Sequence, residues 1–167
     1  MEHQFVGSLV GGSWIAVVAA FFGAGTGYLL TFWREKAARE RRIRSCWSAV
    51  RSEIKICSRM ADDYLNPPIV KAPSYRWPTL AYQHAFPELL LGAGLNTDEV
   101  GALLSYFIDV EAINRGLDRA QELNASGMLV ELNLQFGTNV NRVQKHLHEK
   151  GNWYGPAMAV IDKHYKE

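Results

Sequence analysis

A chain of 167 residues, 48% hydrophobic and 21% charged with a net charge of +1, fits one compact domain rather than several. The charge is unevenly laid out. Residues 34–59 hold nine Lys or Arg against three acids, residues 60–167 hold nine against thirteen, and Gln4–Trp33 holds none. That layout excludes a disordered chain and an ordinary water-soluble domain.

Roughly 20 apolar residues at about 1.5 Å each cross the hydrocarbon of a bilayer. Residues 9–33 are therefore expected to form a transmembrane helix, preceded by a short extracytoplasmic leader at residues 1–8. Trp14 and Trp33 fall where interfacial aromatic anchors sit. Arg34, Lys36, Arg39, Arg41 and Arg42 follow at once, which places the N-terminus outside and the remainder in the cytoplasm, with the cations against anionic lipid. A cleaved signal peptide would carry its basic residues before a shorter apolar segment, and here none precedes it. Gly12, Ala16, Ala19, Gly23 and Gly27 recur every three or four residues on one helix face. Such a small-residue stripe lets a second membrane helix approach closely.

Residues 34–65 contain no Gly or Pro and are expected to continue as a basic juxtamembrane helix. Ile43, Trp47, Val50, Ile54, Cys57, Ala61 and Tyr64 alternate at spacings of four and three, forming a packing seam. The seam either self-associates or packs on the chain's own C-terminal domain. The bulk of Trp47 and Tyr64 favours the second. Asn66-Pro67-Pro68 ends the helix, and residues 66–78 read as a Pro-rich loop. Tyr75, Arg76 and Trp77 on that loop are a candidate partner-binding set, since these residue types dominate binding hot spots. The alternative is a lid in which the aromatics fold back over the core.

Residues 79–167 read as a helical bundle packing on 43–65. Thr79 is expected to cap a short helix through His84, and Phe86–Leu91 to form another after Pro87. Asn96 and Glu99 have capping-box spacing before an apolar stripe running from Val100 to Ala120. A second stripe comprises Leu129, Leu132, Phe136, Val140, Val143 and Leu147, ended by Gly151-Asn152, with a terminal helix at Ala157–Tyr165. No segment alternates with period two. The fold class is therefore all-α, a single N-terminal transmembrane helix continuing into a small helical bundle. Trp47, Ile54, Leu104, Phe107, Leu132 and Phe136 are expected to be buried together.

Chemistry-bearing patterns are sparse. Cys46 and Cys57 lie roughly 16 Å apart along a helix, too far to pair. His146 and His148 diverge by about 200° on a helix, unlike ligands at i and i+4. No catalytic residue, metal or cofactor is expected, and the chain does not read as an enzyme. The expected partners are membrane lipids and an integral-membrane protein, with a homo-oligomer as the alternative. Nucleic acid is not expected, because the cations sit at the headgroups and aromatics are not interleaved with them. The leading expectation is a non-catalytic accessory or assembly subunit of a larger bacterial inner-membrane complex. A self-associating membrane scaffold or effector comes second, and a membrane-tethered enzyme with a site near the Pro-rich loop comes third.

Overall fold

A computed structural model describes the backbone of residues 7–65 and 76–165, and their side chains except at 7–20 and 22–25. Most of the described residues are helical, and none of them is in a strand. The helices are α1 (Gly7–Leu65), α2 (Leu80–His84), α3 (Phe86–Gly92), α4 (Thr97–Ala125), α5 (Leu129–Arg142) and α6 (Tyr154–His164), with one π-helical turn at Val143–Leu147. The chain divides into two compact units, Met1–Arg42 and Ile43–Glu167. Among the described residues no helix is long and apolar enough to cross a membrane. Gly12, Trp14, Ala16, Ala19 and Gly23 of the expected span lie outside the described side chains, as does the leader up to residue 6.

In the second unit the α1 seam is covered by the chain itself. Trp47, Val50, Ile54, Cys57, Ala61 and Tyr64 join Leu103, Tyr106, Phe107, Val110, Ile113, Ala157 and Ile161 in one core. Each Val, Leu, Ile or Phe among them, removed from water, stabilises the fold by about 1.5–3 kcal/mol, which explains why the seam is filled locally. α4 is the central strut, packing against α5, the π turn and α6. Its start is fixed locally. Glu99 donates its backbone N–H to Asn96 Oδ1, and Asn96 donates its own to Glu99 Oε2, both at 2.9 Å.

Several expectations need correction. Thr79 makes no side-chain cap to α2. Glu53 on α1 does that work, its two carboxylate oxygens accepting from the N–H groups of Ala81 and Tyr82 at 2.7 and 3.0 Å. A carboxylate held at a helix N-terminus satisfies groups that have no partner within the helix. The core is also not single: Leu132 packs with Ala120 and Leu123 in a satellite cluster touched by Phe136, away from Trp47 and Phe107. Leu129 and Val140, expected on the inner stripe, are 65% and 38% exposed. Finally, α5 gives way to the π turn at Val143, and α6 begins at Tyr154, ahead of Pro156. Pro156 is tolerated there because first-turn N–H groups have no intrahelical acceptor.

Candidate functional site

In the first unit the described side chains offer an uncovered helix. Phe21, Tyr28, Leu29, Leu30, Phe32 and Trp33 are between 54% and 77% exposed. A Cβ built on Gly27 would meet no heavy atom within 4 Å. Arg34, Lys36, Arg39, Arg41 and Arg42 are all exposed. The Thr31 hydroxyl turns inward and donates to the Gly27 carbonyl at 2.9 Å, so its polarity is absorbed by the helix.

In the second unit Trp77, near the end of the expected Pro-rich loop, is 2% exposed and meets Tyr64 edge-on at 6.5 Å. Asn114 clamps its backbone: Trp77 N–H donates to Asn114 Oδ1 at 2.8 Å, and Asn114 Nδ2 donates to the Trp77 carbonyl at 2.9 Å. Arg76 pairs with Asp118 at 2.7 Å on the surface. Of the three candidate partner-binding residues, Trp77 thus belongs to the core as a lid would, Arg76 is exposed but paired, and Tyr75 lies outside the described residues.

Three imidazoles from the C-terminal segment face carboxylates on other helices. His148 Nε2 lies 2.9 Å from Asp62 Oδ1 on α1. His164 Nε2 lies 3.0 Å from Glu99 Oε1, with its ring stacked on Trp47 at 5.4 Å. His146 Nδ1 lies 3.6 Å from Asp109 Oδ2, too long for a hydrogen bond, with Arg142 Nε 3.4 Å from the same carboxylate. Glu99 is the most heavily served. Lys163 Nζ at 2.6 Å, the Asn96 N–H and His164 together hold its carboxyl down to about 2. All these contacts tie the last two elements to α1 and α4, so they fasten the fold.

Two buried reactive groups are muted by their surroundings. Burial, reinforced by the Glu53 charge, pushes the Cys57 thiol far up, so it stays protonated and is a poor nucleophile. Burial does the same to the Tyr106 hydroxyl, which donates to the Ile54 carbonyl at 3.1 Å. Among the described residues no group of three or more His, Cys, Asp or Glu is placed to hold a metal ion. An open apolar groove of about 380 Å³ runs between α1 and α2, lined by Ile56, Leu80, Ala81, His84 and Ala85. Glu53 borders it, but both of its oxygens already serve α2.

The sequence reading missed Asn114, Asn139 and Glu53. A signal was present for Asn139, which interrupts the apolar stripe between Phe136 and Val143 and is fully buried. A polar residue on an inward stripe points to a specific buried contact. Asn139 Oδ1 accepts from Gln135 and abuts Gly116 of α4, whose missing side chain makes room for it. No known protein family, curated protein or solved structure matches the chain.

Proposed function

We propose that the protein is a non-catalytic accessory or assembly subunit of a larger inner-membrane complex of a bacterium. In this reading residues 9–33 span the membrane once, the N-terminus lies outside, and the bundle of the second unit is cytoplasmic. The observation that carries it is the uncovered apolar surface of the first unit at Phe21, Tyr28, Leu29, Leu30, Phe32 and Trp33. A helix that is apolar on several sides and uncovered by its own chain calls for lipid or another helix around it.

The α1 seam is consumed within the chain, so neither a foreign partner nor a second copy docks on it. A partner must then use other surfaces, and the small-residue stripe ending in the open Gly27 position supplies one. The test is purification of the full chain in mild detergent with mass spectrometry of whatever accompanies it. Gly23→Ile with Gly27→Ile is compared against Val18→Leu on the opposite side. Loss of a foreign partner in the double variant alone supports the accessory reading. Loss of homotypic association alone replaces it with a scaffold, and retention of every partner removes the stripe from the proposal. A reporter fused after Glu167 should be active only in the cytoplasm.

A further inference from the structure

We propose that Arg34, Lys36, Arg39, Arg41 and Arg42 form a collar around an upright helix, binding the phosphates of anionic phospholipids on several sides at once. The inference rests on the membrane reading above and adds the orientation of the helix and the class of lipid it gathers. All five side chains are exposed and belong to one continuous helix. At about 100° per residue, with Arg34 at 0°, Lys36 falls at about 200°, Arg39 at about 140°, Arg41 at about 340° and Arg42 at about 80°. Among these five the widest gap is about 140°, where Glu40 stands at about 240° and the exposed Arg44 at about 280°.

The apolar residues just before the cations decide between an upright and a flat helix. On the same scale Tyr28 lies at about 120°, Phe32 at about 160°, Leu29 at about 220°, Trp33 at about 260° and Leu30 at about 320°. Phe32 thus shares its side of the helix with Lys36 and Arg39. A helix lying in the plane of a membrane needs its cations and apolar residues on opposite faces. Here the two classes are separated along the axis and not around it. That arrangement suits a helix that passes from hydrocarbon into headgroups, where phosphate surrounds it on every side.

A duplex or an acidic protein would engage one face and leave the others idle, so charge complementarity selects the lipid annulus. The cations rise over about 12 Å, and a headgroup layer is about 5–8 Å thick. Arg34 and Lys36 therefore sit within the layer, and the long side chains of Arg39, Arg41 and Arg42 reach back to it.

The experiment uses the full chain reconstituted in phosphatidylcholine vesicles containing a minor fraction of spin-labelled phosphatidylglycerol or spin-labelled phosphatidylcholine. Electron spin resonance reads the motionally restricted lipid at the protein surface. The expected preference for the anionic label is roughly fivefold, the factor equivalent to about 1 kcal/mol per basic side chain near the surface. It should fall as salt screens the phosphates. Arg34→Gln with Arg41→Gln neutralises one side of the helix, and Lys36→Gln with Arg39→Gln neutralises the other. A collar predicts similar losses from the two pairs. All four positions lie outside the folded second unit, whose thermal transition reports that each variant is intact.

Loss from one pair alone would mean that the cations make a single face, overturning the collar. Equal restriction of both labels would also overturn it while leaving the membrane span standing. Absence of restricted lipid with either label would overturn the membrane reading itself.

Discussion

Trp77→Ala tests whether the end of the Pro-rich loop is part of the core or only rests on it. Trp77 is 2% exposed, and its ring meets Tyr64 while its backbone is held at both ends by Asn114. Truncating a buried Trp to Ala typically costs about 3–5 kcal/mol. One contribution runs the other way. Trp77 Nε1 is buried without a hydrogen-bond partner, and deleting an unsatisfied donor returns part of its desolvation cost, about 1–3 kcal/mol. The backbone clamp survives in either variant, because Asn114 bonds the main chain. The net expectation is a loss of about 2–4 kcal/mol. For a unit spanning Ile43–Glu167, roughly 3–4 °C accompanies each kcal/mol. Near-ultraviolet circular dichroism of the full chain in mild detergent should therefore show Tm falling by about 6–16 °C. Trp77→Phe keeps most of the ring and removes the orphan N–H, so its Tm should stay within about 4 °C of the parent. A Trp77→Ala decrease below about 4 °C would remove the loop from the core. A Trp77→Phe loss as large as that of Ala would show that the indole N–H has a partner after all.

Two further perturbations probe other contacts. Folding lowers the Glu99 carboxyl from its usual 4.5 to about 2, through Lys163 first, then the Asn96 N–H and His164. Its contribution is therefore present above about pH 4.5 and lost as pH falls toward 2. Denaturant midpoints should decline across that window, and Glu99→Gln should flatten the decline while lowering the midpoint at neutral pH. Gly116→Ala drives a methyl group into the Asn139 amide, with an expected cost of about 1–3 kcal/mol in urea unfolding. Adding Asn139→Ala should recover part of that loss, and strictly additive losses would show that the two positions do not touch.

Contacts of short range along the chain were readable directly. The Asn96–Glu99 capping box, the end of α1 at Leu65 before Asn66-Pro67-Pro68, and the inward stripe of α1 from Ile43 to Tyr64 all follow from spacing, because caps and helix periodicity are properties of adjacent turns. The uncharged run and the basic residues behind it are equally a matter of order along the chain. Periodicity tells which face of a helix is apolar, but never which surface will cover it. Only the tertiary structure assigned the α1 seam to α4 and α6, and only it moved Leu132 and Phe136 into a separate cluster with Ala120 and Leu123. The cap on α2 comes from Glu53, 28 residues before Ala81, and the clamp on Trp77 from Asn114, 37 residues after it. Such partners meet once the helices have packed. A buried N–H or carbonyl then takes whatever acceptor or donor the neighbouring helix presents, and no local pattern records that choice.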